Sequence, residues 1–238
     1  TVEFVHALGP EVVSSADFAQ AFEATLSPTQ LDSHRRAGKA LERAGERVFG
    51  WIRERLLAGD ALTEYSIQCE LGDYMRAEGL EVAEDEAPLV AVNGNAANPH
   101  YSPTAERHAP ASKGDLLLID FSAPLAEPGA IFADYTWMAY LGERTPQRMD
   151  DLFAVIAKAR DVGVATLRDA FISGRRIEGW TVDDAVREVV EAAAEARPNL
   201  LIAIGGPAAD VVHDGTAREL AARVSVAALD LAELLPGH

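Results

Sequence analysis

The sequence predicts an α+β fold in which helices pack on an antiparallel sheet. Three observations lead to this prediction. Apolar residues recur at helical spacing in two separate pairs of segments, and short apolar segments typical of strands follow the first pair. The same order of helix, helix and strand then begins again in the second half of the chain. The expected fold is therefore pseudo-duplicated, with a second repeat that is incomplete.

The first helix is predicted from its start signals and its apolar periodicity. Ser27 is suited to cap a helix, Pro28 to occupy the first turn, and Gln30 to complete a capping box. Apolar residues then recur every three or four positions at Leu41, Ala44, Val48, Ile52 and Leu56. We expect a long amphipathic helix that ends at about Leu57.

A second helix is expected to begin at Thr63 and to end at Gly79. Its apolar face consists of Ile67, Leu71, Tyr74 and Met75. Cys69 lies among these residues, so we predict that it fills the core rather than acting as a nucleophile. Because Cys69 is the single cysteine, no internal disulfide can form, and a reducing, cytoplasmic compartment is expected.

Three strands are predicted next, at residues 89–92, 116–121 and 131–141. Residues 124–129 contain proline, glycine and polar side chains, as expected for the turn of a hairpin between the last two strands.

The second repeat is predicted to begin with a helix at Thr145-Pro146 and to continue with another helix at Thr181. Residues 199–204 have the composition of a strand, and residues 216–235 that of an Ala-rich helix. A second copy as long as the first would extend past His238, so we expect the second repeat to lack its last part.

The charge balance bears on the expected partners. Asp and Glu number 38 against 21 Lys and Arg, which gives a net charge of -17 and repels phosphate backbones. No apolar run approaches the roughly 18 to 20 residues of a membrane span. We therefore expect no nucleic acid and no membrane among the partners. Residues 1–10 lack the features of a signal peptide, and the sequence does not begin with Met, so we expect an excised segment.

Two aspartates are the main candidates for chemistry. Asp120 ends the apolar run that begins at Leu116, and Asp134 lies in the next predicted strand. Either residue alone is more typical of a turn aspartate bonded to backbone amides. A hairpin, however, would bring them side by side. At about 5 Å and a dielectric constant near 20, two carboxylates repel by roughly 3 kcal/mol. The pair should share a proton or bind a metal ion, and the metal is the stronger interpretation.

A histidine precedes the two aspartates in a Gly- and Asn-rich loop. His100 follows Asn98-Pro99 within residues 93–103, and such a loop can place an imidazole beside a strand end. Alone, it is more typical of an ordinary loop histidine. His108, in a polar turn, is interpreted as a surface residue.

Together these motifs resemble a known family. The order Asn-x-x-x-x-Pro-His, then Gly-Asp-Leu-Leu-Leu-Ile-Asp, then Ala-Asp-Tyr-Thr is similar to the pita-bread metallopeptidases. This family holds the Xaa-Pro aminopeptidases, prolidases, methionine aminopeptidases and creatinase. The resemblance extends over most of residues 12–193. It implies a pita-bread domain at 27–238, preceded by a linker at 1–26 from an N-terminal domain.

The resemblance also implies roles for the three candidate residues. Asp120 would bind one metal ion of a dinuclear pair or bridge it, and Asp134 would bridge both ions. His100 would be catalytic, contacting the substrate and the developing oxyanion. A metal-bridging water would attack a peptide bond near a free N-terminus, in short Xaa-Pro peptides. Two Mn²⁺ ions are expected, with Zn²⁺, Co²⁺ and Fe²⁺ as alternatives. A homodimer is possible, as is a monomer.

Three departures from the family pattern stand out. Phe121-Ser122 follows Asp120 where the family often has a small residue and Gly, and Trp137 stands where a basic residue is common. The family completes its metal site with a His in a Gly-rich loop and two later Glu residues. His213 lacks the Gly-His-Gly setting, and Glu219 and Glu233 lie in helix-like sequence, so we assign none of these three as a ligand.

Two other functions stay in competition. A catalytically silent pita-bread module that binds peptides or a protein partner would account for the missing ligands. A phosphotransferase using Asp120 as nucleophile is less favoured, because that chemistry requires a second Asp where Ser122 stands.

Overall fold

The computed structural model describes residues 25–83, 87–98 and 101–196. Several sequence predictions lie outside these ranges: the linker at 1–26 for all but its last two residues, the strand at 199–204 and the helix at 216–235. His100, His213, Glu219 and Glu233 also lie outside them.

The first helix, α1, spans Pro28–Ala58 and has the predicted ends. The Ser27 side chain accepts a hydrogen bond from the Gln30 amide, and the Gln30 side chain accepts one from the Ser27 amide, which completes the capping box. Gly59 ends the helix in the left-handed conformation, at φ 80°. The prediction for α1 is therefore confirmed to within one residue at its C-terminus.

The second helix, α2, spans Glu64–Ala77, and Thr63 caps it through a reciprocal bond with Ser66. The predicted start is confirmed, and Gly79 follows the helix with φ 81°. The prediction for Cys69 is wrong, because this residue is exposed on the outer face of α2. The neighbouring Ile67 and Leu71 face the core instead, so Cys69 lies one position off the buried stripe.

Five strands form two antiparallel sheets in the described residues. Strands β1 (Leu62–Thr63) and β3 (Pro110–Ala111) make a short two-stranded sheet. Strands β2 (Leu89–Val92), β4 (Leu116–Ala123) and β5 (Ala133–Tyr140) make a three-stranded sheet in the order β2-β4-β5. The predicted strands and hairpin are confirmed, although β4 extends two residues beyond the predicted end and β5 is shorter than predicted by three.

One face of the three-stranded sheet packs on the two helices. The main core combines Leu41, Val48, Ile52, Ile67, Leu71 and Met75 from the helices with Val90, Leu117, Ile119 and Phe121 from the sheet, all almost fully buried. Side chains alternate across a strand, so burying the odd-numbered residues of β4 leaves its even-numbered residues on the opposite face.

A second helix pair follows the sheet. Helix α3 spans Gln147–Ile172, directly after the predicted start at Pro146, and α4 spans Gly179–Ala196. The prediction that Thr181 begins α4 is wrong by two residues, since Thr181 lies in the first turn. The two helices pack on each other around Ala159, Val186 and Val190. The helix-helix order thus occurs twice, as the duplication predicts. Among the described helices, none combines the length and apolarity that a membrane span requires.

Candidate metal-binding site

The candidate site lies on the open face of the β4–β5 hairpin. Asp120 and Ser122 of β4 share this face with Asp134 and Thr136 of β5, because all four are even-numbered residues of paired strands. Asp134 and Thr136 are exposed, and Asp120 and Ser122 are half-buried. The hairpin therefore brings the two predicted aspartates to one surface.

The register of the hairpin refines how the aspartates meet. Asp120 lies opposite Thr136, and Asp134 lies opposite Ser122, so the two carboxylates are diagonal neighbours rather than a directly opposed pair. Diagonal residues on one face of an antiparallel pair are about 7 to 8 Å apart at the backbone, within reach of a shared ligand. The sequence prediction of side-by-side aspartates holds for the face but not for the register. Asp120 also lies inside β4 rather than at its end.

The environment differs between the two carboxylates. The Thr136 hydroxyl donates a hydrogen bond of 3.0 Å to Asp120 Oδ1, which orients that carboxylate. Asp134 contacts solvent, yet partial burial against the sheet and then the charge of Asp120 raise its pKa above the ordinary value. A cation placed between the carboxylates would relieve this repulsion. The donor set is two carboxylates, which suits a hard divalent ion.

The described residues do not bring a full set of metal-ligating side chains together. No group of three or more His, Cys, Asp or Glu side chains in residues 25–83, 87–98 and 101–196 is placed to hold an ion together. Asp115, the aspartate nearest in sequence to Asp120, is already bonded to the Asn93 side chain and the Ser112 amide. Asp120 and Asp134 thus remain the candidate ligands in this part of the chain.

Two departures from the family sequence pattern have a structural explanation. Phe121 and Trp137 occupy odd-numbered positions, so they face α1 rather than the aspartates. Their rings meet edge to face at 5.6 Å, and Trp137 also stacks on Phe49 at 6.0 Å. Gly45 of α1 provides the space, since a Cβ there would lie 2.5 Å from the Trp137 ring. These two aromatic side chains belong to the core, whereas Ser122, the other residue of the first departure, lies on the aspartate face opposite Asp134.

The role of Glu64 could not be predicted from the sequence. This residue occupies the first position of α2, where an acidic side chain is ordinary because it interacts favourably with the helix dipole. In the structure Glu64 is completely buried, and its carboxylate accepts hydrogen bonds from the loop that contains Asn95 and Tyr101. The residues that donate these hydrogen bonds are far from Glu64 in sequence, so local sequence patterns cannot reveal the contacts.

Helices packed on an antiparallel sheet, with paired aspartates on the open sheet face, agree with the pita-bread class of fold that the sequence motifs resemble. The chain belongs to metallopeptidase family M24, whose sequence profile matches residues 32–223. A search of the curated proteins finds no match to the chain.

Solved structures of the same fold include three peptidases. X-Pro aminopeptidase from Thermotoga maritima is 22% identical with a TM-score of 0.57, and 74% of this chain covers 45% of it. Dipeptidase PepE from Mycobacterium ulcerans is 20% identical with a TM-score of 0.59, and 82% of this chain covers 47% of it. The cytosolic X-prolyl aminopeptidase of Caenorhabditis elegans, which has a di-nuclear active site, is 19% identical with a TM-score of 0.57; 73% of this chain covers 27% of it. This chain thus spans less than half the length of each, and the likeness establishes the fold.

Proposed function

We propose that this chain carries part of the catalytic site of a metal-dependent aminopeptidase or dipeptidase of the Xaa-Pro type. The observation that carries the proposal is the diagonal pair of Asp120 and Asp134 on the open face of the hairpin, in a member of a metallopeptidase family. Residues 27–238 would form the catalytic-type domain, and residues 1–26 the linker that precedes it.

The proposed cofactor is a pair of divalent ions held by Asp120 and Asp134, with Mn²⁺ favoured over Zn²⁺, Co²⁺ and Fe²⁺. Bound ions would supply Lewis acidity and an activated water. The charge of two carboxylates on one face, and the raised pKa of Asp134, support a cation at this position. Further ligands are needed beyond these two residues.

The protein's own residues would orient the reaction. Thr136 holds Asp120 through its hydroxyl, so one carboxylate keeps a fixed direction toward the open face. His100 is proposed to contact the substrate and the developing negative charge at the attacked carbonyl. The substrate class is short peptides with a free N-terminus or an Xaa-Pro bond. Two proteins of the same fold are named X-Pro and X-prolyl aminopeptidase, and these names support the proposed substrate class.

The same proposal covers the setting of the protein. We place it in the cytoplasm, without nucleic acid or membrane as partners. It would be either a monomer or a homodimer, which analytical ultracentrifugation distinguishes. The net charge of -17 supports the exclusion of nucleic acid.

Metal titration with matched variants tests the proposal. Mn²⁺ bound to the protein is measured by electron paramagnetic resonance in the wild type, Asp120→Asn, Asp134→Asn and the control Asp150→Asn, which removes an exposed carboxylate from the first turn of α3. We expect each site variant to weaken binding by at least about tenfold, since each removes a charged ligand. The control should bind as the wild type does.

Hydrolysis of an Xaa-Pro dipeptide by the Mn²⁺-loaded protein tests the activity itself. We expect cleavage that a chelator abolishes and that both site variants lose. A wild-type chain that neither binds Mn²⁺ nor cleaves the peptide would overturn the proposal.

A second candidate function is a silent peptide-binding module. It is favoured by one observation: the described residues bring together two carboxylates and no third ligand. In that case a labelled Xaa-Pro peptide should bind the metal-free protein with an affinity that Asp120→Asn and Asp134→Asn leave unchanged. Binding that depends on added Mn²⁺ would argue for the enzyme instead.

A further inference from the structure

Glu64 is a buried charged residue that lies outside the proposed metal site. Among the buried residues of the described chain it is the only acidic or basic one, and it is 0% exposed. An isolated carboxylate in such a place is strongly unfavourable unless several donors meet it. The partners of Glu64 therefore indicate what its charge does.

Four donors meet the Glu64 carboxylate. Oε1 accepts from the Val92 amide at 2.7 Å and from Asn95 Nδ2 at 2.9 Å. Oε2 accepts from the Ala109 amide at 2.6 Å and from the Tyr101 hydroxyl. We call these five residues the Glu64 cluster. Val92 lies in β2, Asn95 lies in the 3₁₀ helix at Asn93–Ala97, and Tyr101 and Ala109 lie in the loop before β3.

None of the four donors carries a charge. The cluster is thus an anion held by neutral groups, and the two backbone amides can donate only where the loop backbone stands as observed. Burial and the bond to Glu64 raise the pKa of Tyr101 to about 12, so its hydroxyl keeps the proton that it donates. The amide of Glu64 also donates to the Ala109 carbonyl at 3.0 Å, which ties the same residue twice.

A second set of bonds fixes the start of the loop. Asn93 has φ 51°, a left-handed conformation that asparagine tolerates better than most residues. Its side chain accepts from the Leu116 amide at 2.9 Å and donates to Asp115 at 2.7 Å. The loop is therefore held to the beginning of β4, the strand that carries Asp120.

The flanks of His100 are held by this arrangement. The Tyr101 amide donates to the Asn98 carbonyl at 3.0 Å, so the described residues on both sides of positions 99 and 100 are joined. The Tyr101 side chain then ends on Glu64. A change at Glu64 reaches the chain next to His100 through a single side chain.

We propose that Glu64 is a positioning residue whose buried carboxylate holds residues 92–98 and 101–109 in place, and so sets where Asn98 and Tyr101, the described residues on either side of His100, lie relative to the Asp120–Asp134 face. The inference rests on the proposed function for its catalytic consequence. The loop-holding part of it stands on the hydrogen bonds of the Glu64 cluster alone.

The test compares Glu64→Gln with Tyr101→Phe and with the control Asp73→Asn. Glu64→Gln keeps the shape but replaces one acceptor oxygen by a donor, which conflicts with the donors at whichever oxygen it replaces. Tyr101→Phe removes one bond and leaves the carboxylate with three, so it keeps the test open if Glu64→Gln fails to fold. Asp73→Asn removes an exposed carboxylate from the same helix.

The first measurement is amide hydrogen exchange. We expect Glu64→Gln to speed exchange at Val92 and Ala109 by at least about tenfold. Each of these amides donates to the charged carboxylate, and the substitution removes or weakens that hydrogen bond. Tyr101→Phe should give a smaller change in the same direction, and Asp73→Asn none. Exchange that rises equally at Ile119 of β4 would mean a general loss of stability and would overturn the positioning role. Unchanged exchange at Val92 and Ala109 would overturn it as well.

The second measurement separates catalysis from metal binding. With Mn²⁺ bound, Glu64→Gln should lower kcat for an Xaa-Pro dipeptide by at least about tenfold, while Mn²⁺ affinity stays within about threefold of the wild type, since Asp120 and Asp134 are not touched. An unchanged kcat in a protein whose loop amides exchange faster would refute the link to His100. If the wild type cleaves nothing, the proposed function fails, and the hydrogen exchange still decides whether Glu64 holds the loop.

Discussion

The sheet with its helices α1 and α2 differs from the α3–α4 pair in how completely its apolar residues are buried. In the first region Leu41, Ile67 and Phe121 are at most 1% exposed within one large cluster. In the second region the buried cluster comprises Ala159, Val186 and Val190, while Phe171 and Trp180 are 65% and 66% exposed.

This difference shows that helical periodicity alone does not produce a core. All four helices have an amphipathic pattern, but α1 and α2 cover a sheet face, whereas α3 and α4 cover mainly each other in the described structure. Two helices cannot bury an apolar face as wide as a helix packed on a sheet can. The first region should therefore hold most of the stability.

The largest expected effect comes from equivalent truncations in the two regions. Phe121→Ala should lower the free energy of unfolding by about 3–5 kcal/mol, because it leaves a cavity beneath α1. Phe153→Ala, at a residue that is 60% exposed in α3, should change it by no more than about 0.5 kcal/mol. Urea unfolding of both variants measures this. Similar losses in the two variants would contradict the comparison.

A second prediction tests the tight contact between α1 and the sheet. A Cβ on Gly45 would lie 2.5 Å from Trp137 and 3.0 Å from Phe121. Gly45→Ala should therefore destabilise the protein by about 1–3 kcal/mol. Gly50 of the same helix has nothing within 4 Å, and Gly50→Ala should stabilise by about 0.5–1 kcal/mol.

The control for Gly45 is a double variant. Trp137→Leu shortens the side chain that the new methyl group meets, so Gly45→Ala should cost less in that background than in the wild type. An equal cost in both backgrounds would show that Trp137 is not the reason for the glycine.

A third prediction concerns the independence of the α3–α4 pair. Val186 packs against Gly163 across the two helices. Val186→Ala should lower the free energy of unfolding of the α3–α4 pair by about 1–2 kcal/mol. Amide exchange in α4 should then accelerate by about tenfold while that of β4 stays as it is. Faster exchange in β4 to the same degree would mean that the two regions unfold together.

The smallest expected effect is the pH dependence of the metal-free protein. The pKa of Asp134 is raised from its ordinary value of 3.8, so the folded state holds this proton more tightly than the unfolded state. Stability is then lost as the pH rises from 3.8 through the raised value. Asp134→Asn removes this loss and should be more stable than the wild type at neutral pH, by no more than about 1 kcal/mol.

Urea unfolding at acidic and neutral pH, in the presence of a chelator, measures this difference. The gap between Asp134→Asn and the wild type should close at acidic pH. A gap that widens as the pH falls would contradict the raised pKa.

The starts of α1 and α2 could be predicted because their causes are local, whereas the predicted start of α4 was wrong by two residues. Each capping box joins residues three positions apart, Ser27 to Gln30 and Thr63 to Ser66, so the sequence contains the whole interaction. The position of Cys69 could not be predicted as reliably. Whether a position at the margin of an apolar stripe is covered depends on the breadth of the surface that packs against the helix.

For the candidate site, the sequence by itself determined the residue types and the face. Polar and apolar residues alternate around Asp120 and around Asp134, so each strand by itself assigns its aspartate to the face away from the core. Only the tertiary structure decided the rest. The register sets Asp120 opposite Thr136 and Asp134 opposite Ser122, and the Glu64 cluster gathers donors from distant segments. Both depend on contacts between residues far apart in the chain, which form only when the core packs and which no local pattern specifies.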